Sequence, residues 1–186
     1  NGTGSANTSG SINTTATSAN TTAGFSIIDY VGNQTDGSTI GHGLGAVPHV
    51  FMVHVRNADE SDWFVYHHKN TAAPETDYLQ LAGTNDTSDY DLAWNDTAPT
   101  STLITLGRES HVSYNTKNMI CYAWTEIQGF SKFGSYTGNG NADGTFVYTG
   151  FRPAWVMVKN TGATENWIIF DNKRPGYNLT DALFPA

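Results

Sequence analysis

The chain has 186 residues with 17 acidic against 9 basic side chains, a formal charge of −8, and this excludes nucleic acid as a partner because a phosphate backbone needs clustered Lys and Arg. No run approaches the ~18 apolar residues of a membrane span and the N-terminus lacks the basic and apolar parts of a signal peptide, so no membrane insertion is expected. The length suits one domain with a sizeable core, and many aromatic, Gly, Asn and Thr residues with few charges favour strands and turns over helices.

Residues 1–22 are almost wholly Asn, Thr, Ser, Gly and Ala, with Ile12 the only large apolar side chain. Such a segment buries too little to offset its ordering entropy alone. It reads either as a flexible linker or as an extended arm laid against a neighbouring subunit or domain. From residue 23 the pattern becomes strand, turn, strand. Phe25 to Tyr30 reads as a strand, Gly32 to Gly37 as a turn, and Thr39-Ile40 as a short strand leading to the glycine-dense loop Gly41-His42-Gly43-Leu44-Gly45. Val50 to Val55 and Trp63 to Tyr66 read as two strands around a turn, followed by short strands at Tyr78 to Leu81, Thr102 to Leu106 and Met119 to Ile127. Trp155 to Lys159 and Trp167 to Phe170 close the series, and no stretch holds a helical spacing over three turns.

Residues 24–66 and 129–170 say nearly the same thing twice. Gly24-Phe25-Ser26, Tyr30, Asp36-Gly37, Ile40, Gly43-Leu44, Pro48, Val53 and Trp63 reappear in order as Gly129-Phe130-Ser131, Tyr136, Asp143-Gly144, Val147, Gly150-Phe151, Pro153, Val158 and Trp167. A period of about a hundred residues is too long for an ordinary solenoid unit. The expected fold is therefore all-β, a jelly-roll-like antiparallel sandwich over residues 23–186, with two similar half-repeats contributing equivalent strand sets to one core.

The chemistry-bearing residues are few. His42, His49, His54, His67 and His68 fall close together, and His54 facing His67 or His68 across adjacent strands would suit zinc if a carboxylate joined them. The spacing matches no zinc signature, and turn or surface roles are favoured, so no metal site is assigned. Asp59, Glu60, Asp62 and the run from Asp86 through Asp89 to Asp91 are acid-rich but read as turns. Asp59, Asp62, Asp86 and Asp89 are weak candidates for a structural calcium ion, the sole cofactor considered. No nucleophile elbow, phosphate loop or dinucleotide fingerprint is present, and no catalytic residue is assigned. Cys121 lies in an apolar strand and reads as a buried structural thiol. The eight Asn-x-Ser/Thr sequons are what an Asn- and Thr-rich composition generates. Most tryptophans sit at strand ends and read as core. Trp94 lies in the loop-like Ala93-Trp94-Asn95-Asp96-Thr97-Ala98-Pro99 and is expected to be exposed, so Trp94, Asn95 and Asp96, with His42 of the glycine-dense loop, are the candidate ligand-binding residues.

The runs Gly129 to Gly140, Val147 to Val156, Trp94 to Thr100 and Ile40 to Gly45 together resemble an uncharacterised β-rich domain of bacteriophage tail-fibre and other virion proteins, especially from phages of aquatic bacteria. The resemblance covers most of residues 23–186 and implies that further strands follow Leu183-Phe184-Pro185, so the domain is expected to be truncated at its C-terminus. It implies a non-enzymatic virion protein exposed on an extracellular particle, homo-oligomeric as a trimer or larger assembly, with other virion subunits as partners. The leading expectation is a tail-fibre or spike domain that attaches to a bacterial surface glycan. The alternatives are an architectural virion or filament subunit assembled through its N-terminal arm, and a glycan depolymerase using Asp59, Glu60, Asp86 or Asp89.

Overall fold

The computed structural model describes residues 2–59 and 62–173. Glu60 and the expected truncation after Pro185 lie outside the described residues. The described residues form eleven strands: β1 Ala16–Asn20, β2 Phe25–Val31, β3 Ser38–Gly41, β4 Val50–Val55, β5 Phe64–His67, β6 Asp77–Gln80, β7 Ser88–Asp89, β8 Leu103–Leu106, β9 Asn118–Trp124, β10 Trp155–Val158 and β11 Ile168–Asp171. Helix among the described residues is confined to a 3-10 turn at Pro74–Thr76 and two single turns, α1 Asp91–Trp94 and α2 Ser110–Ser113. None is long and apolar enough to cross a membrane.

The fold is all-β, and its ladders are antiparallel. Seven strands form one sheet in the order β1-β2-β9-β4-β5-β6-β7, while β3 pairs with β8 and β10 with β11 as separate two-stranded ribbons. Strict alternation sets the register: Ile28 and Tyr30 of β2 point inward beside Met119, Cys121 and Ala123 of β9 and Phe51, Val53 and Val55 of β4. The β3–β8 ribbon lays Ile40, Ile104 and Leu106 over that face, and α1 and α2 add Ala93, Trp94 and Val112. This is the main core. Cys121 is buried within it, and burial pushes its thiol pKa well up, in keeping with an inert structural role.

The N-terminal segment is an ordered part of this domain. β1 adds to the edge of β2 over five residue pairs, Ser5 and Thr17 exchange backbone hydrogen bonds on the outer side of β1, and Ile12 is buried against the core beside Ile40. Among the described residues the segment is an extended arm whose backbone groups pair with the domain that follows it in the same chain, not a free linker. The outermost strand of the sheet is in this way covered by its own N-terminus.

The two half-repeats do not share one core. The first supplies β2 to β5. The second supplies only β10 and β11 as strands, with an isolated bridge from Ile127 to Ser131, and these pack through Met157, Trp167 and Phe133 on the opposite face of the large sheet, against Val50, Val65 and Leu79. A strand needs a partner on its edge as well as a suitable sequence. β9, which follows the first half-repeat, is already paired on both sides, by β2 and β4.

Candidate functional site

The loop expected to carry a ligand is built into the core. Trp94 is 1% exposed, its ring stands edge-on to Phe51 at 4.8 Å between centroids, and its Nε1–H donates to the Asp77 carbonyl at 3.0 Å. The single turn α1 swings it inward, and Asn95 then closes the turn with φ of 53°, followed by Asp96 at 45°. Asn95 is left half-buried and Asp96 exposed. His42 is also fully buried: its Nδ1 accepts the Leu44 amide and its Nε2 bonds the Thr100 carbonyl at 3.2 Å. It fastens the glycine-dense loop to the segment after α1, and burial lowers its pKa, holding the ring neutral. The expected exposure of Trp94 is corrected, and of the four candidates two are internal.

The acids do not converge either. The Asp62 carboxylate accepts the Ala82 amide and its carbonyl bonds His54 Nδ1 at 2.9 Å. Asp59 borders a shallow, open depression with Arg56, Tyr114 and Lys117, and Asp89 is an exposed edge residue of β7 opposite Asp77. Asp86 neighbours Lys159. Among the described residues, none of Asp59, Asp62, Asp86 and Asp89 belongs to a group of three ligand atoms within mutual reach.

Among the described residues one such group exists, and it was not the one anticipated. His49 before β4, His68 after β5 and Glu126 after β9 bring one ligand atom each within 4.8 Å of one another. The sheet places them there, since the His49 amide donates to the Trp124 carbonyl and the His68 amide to the His49 carbonyl, each at 2.8 Å. Two imidazoles and a carboxylate are a zinc-type donor set, but the hydrogen bonds oppose that use. The Glu126 amide donates to His49 Nδ1 at 3.1 Å, so the ring proton of neutral His49 sits on Nε2. The Glu126 carboxylate is taken by the Phe133 amide at 2.9 Å and the Lys132 ammonium at 3.0 Å. His68 Nε2 bonds the Phe133 carbonyl at 3.1 Å. The cluster is a clasp holding the start of the second half-repeat onto β4 and β5. Burial lowers the pKa of His49 and His68, and burial with the two neighbouring rings takes His67 down to about 4. For Glu126 burial raises the pKa, but the Phe133 amide and Lys132 outweigh it and the net shift is downward.

Half-buried aromatics form a row across the sheet: His54 stacks on Trp63 at 4.8 Å, Trp63 on Tyr122 at 5.5 Å, and Phe25 on Trp124 at 5.0 Å. A sugar needs the face of a ring. Here the faces are turned on one another with interplanar angles of 12° to 25°, so the row serves sheet packing.

The largest chemical anomaly is in the second half-repeat. Its hairpin reproduces the first one residue for residue: Val156↔Phe170 and Val158↔Ile168 occupy the register positions of Phe51↔Tyr66 and Val53↔Phe64. In the first hairpin those four side chains are buried in the main core. In the second, Val156 and Phe170 are 39% and 43% exposed, and Val158 and Ile168 are half-buried. Phe146, Val147 and Tyr148, which align with the β3 segment, stand exposed as well. A core-type face thus lies open to water.

Residues 1–185 match a family described as a domain of unknown function, DUF7483. No curated protein and no solved structure matches the chain.

Proposed function

We propose that this chain, which belongs to the DUF7483 family, is a non-enzymatic structural module that fulfils its role by packing against further protein. The observation that carries this reading is the open face of β10 and β11. Four side chains at register positions that form a core in the first hairpin have no covering layer in the second among the described residues. Leaving such a face in water costs roughly 25 cal/mol per Å² of apolar surface, so a protein layer over it is strongly favoured. The absence of convergent acids among the described residues, the neutral, internally bonded His42, and the inward Trp94 all support a scaffold over a catalyst. The setting proposed is the bacteriophage particle that the sequence resemblance implies, with the architectural subunit, the alternative to attachment, as the role.

The glycan-attachment reading is the competitor, and it loses its main contact with Trp94. The two are separated by building particles with Phe170→Asp in this chain. The structural reading expects the variant to fold and yet be missing from purified particles. Normal incorporation with lost adsorption to host envelope would overturn it in favour of attachment.

A further inference from the structure

We infer that the clasp of His49, His68 and Glu126 is an acid-operated latch, in which protonation of its imidazoles releases residues 126–133 from β4 and β5 while the main core stays folded. Release here is independent of what covers β10 and β11. The hinge and the slack are both built in. Just before the segment, Thr125 is buried and its amide donates to the Gly24 carbonyl at 2.9 Å, which fixes the end of β9. Beyond it, residues 134–148 are exposed, and Gly134, Gly138, Gly140 and Gly144 have open space where a Cβ would stand. The β10–β11 hairpin keeps its own anchors: Trp167 Nε1–H donates to the Gln80 carbonyl at 2.7 Å and the Glu165 amide to the Thr84 carbonyl at 2.9 Å. The segment can therefore swing between two fixed points.

Three imidazoles meet at the latch. The rings of His49 and His68 stand edge-on at 4.5 Å between centroids, and His67 lies 5.4 Å from His68. The charged groups that face them among the described residues are Lys69 beyond β5, Glu126 beyond β9 and Lys132 of the second half-repeat, two cations and one anion, so three protonated rings would add to a charge that is already positive. Like charges this close repel even at the effective dielectric of a protein surface. A proton on His49 Nδ1 also ends its acceptance of the Glu126 amide at 3.1 Å and sets N–H against N–H. His68 keeps its bond to the Phe133 carbonyl when charged, so it contributes repulsion rather than a lost bond. Glu126 supplies the counter-charge, but its oxygens are already held by the Phe133 amide and Lys132. Burial first, then the neighbouring rings and lysines, outweigh it, and each of the three rings has its pKa below the ordinary 6.5 in the closed state. The open state takes up protons first, so closure is complete above pH 6.5 and is lost as the pH falls, with His67 charging at about 4. Opening lifts Phe133 off the cluster of Val50, Val65, Leu79 and Trp167, and acid thereby uncovers apolar surface on β4 and β5.

The test is amide NMR of the isotope-labelled 186-residue chain, titrated from roughly pH 8 to pH 4 with the ring protons of the histidines followed in parallel. The Glu126 and Phe133 amides are expected to leave their closed positions over the interval in which His49 and His68 titrate, while Ile28 and Cys121 of the main core keep theirs. In His49→Asn/His68→Gln, a carboxamide oxygen replaces Nδ1 as acceptor and a carboxamide NH₂ replaces the Nε2 donor, and neither gains a proton. The double variant should hold the segment closed to a pH at least about one unit lower. Closed signals that persist to the end of the wild-type titration overturn the latch. So does simultaneous loss of Ile28 and Cys121, which is global acid unfolding, or a transition that the double variant does not move. Should the variant fail to close at neutral pH, the wild type decides alone: amides that move without His49 and His68 titrating over the same interval overturn the inference.

Discussion

Replacing Trp94 with alanine separates a core residue from a ligand contact more cleanly than any other change. The indole is 1% exposed, edge-on to Phe51 and, at 6.4 Å, to Tyr66. Removing a buried aromatic of this size costs about 3–5 kcal/mol in lost transfer energy and cavity. The Asp77 carbonyl, which accepts the indole N–H, would add about 1 kcal/mol if left without a donor. Trp94→Phe keeps most of the ring volume and loses the hydrogen bond, so it should cost about 1–2 kcal/mol. Urea unfolding followed by far-ultraviolet circular dichroism reads both, since the other four tryptophans would confuse fluorescence. A loss below ~0.5 kcal/mol for Trp94→Ala, the range of ordinary surface substitutions, would refute the buried placement and restore Trp94 as a ligand contact.

The remaining predictions concern pH, the N-terminus and metal. His67 is held at about 4 from an ordinary 6.5. Its folded pKa lies below its unfolded one, so the unfolded state binds the proton first. Stability should be full above pH 6.5 and decline as the pH falls to 4, by at most about 3 kcal/mol. His67→Gln should flatten that slope, and a flat wild-type profile over the interval would contradict the buried, neutral cluster. Deleting residues 1–22 removes β1 and Ile12 and uncovers the edge of β2. The expected result is a loss of at least ~2 kcal/mol from the buried isoleucine alone, with aggregation at the bared edge. An unchanged melting temperature would instead mark these residues as a linker. Zinc at equimolar concentration should leave the melting temperature unaltered, because His49 offers its Nδ1 to the Glu126 amide. A rise of several degrees that His68→Ala abolishes would make the cluster a metal centre.

What the sequence revealed was what alternation and turns control. Val50 to Val55 is a strand with the bounds its apolar run suggested, and β2 extends one residue past its expected end, because a period of two places one face in the core. α1 was invisible to periodicity, since one turn of four residues has no period to show. The Asn-Asp-Thr and Pro99 around Trp94 described the loop correctly and concealed the inward ring, which tertiary contact with Phe51 decides. The clustered histidines gave a true signal with the wrong membership. His54 turns to stack on Trp63, while Glu126, far along the chain, is carried to His49 and His68 by the β4–β9 ladder. The second half-repeat shows the limit most clearly. Its residues match the first, but a strand also needs neighbours, and those that complete β4 have no counterpart on β10 among the described residues.

The most direct test of the structural account is an electron cryo-microscopy reconstruction of the assembly proposed to hold this chain, at a resolution that resolves the side chains of β10 and β11. The account predicts continuous protein density packed over Val156, Val158, Ile168 and Phe170. A face bare to solvent in the assembled particle, with the chain projecting outward and saccharide density on its rings, would contradict it.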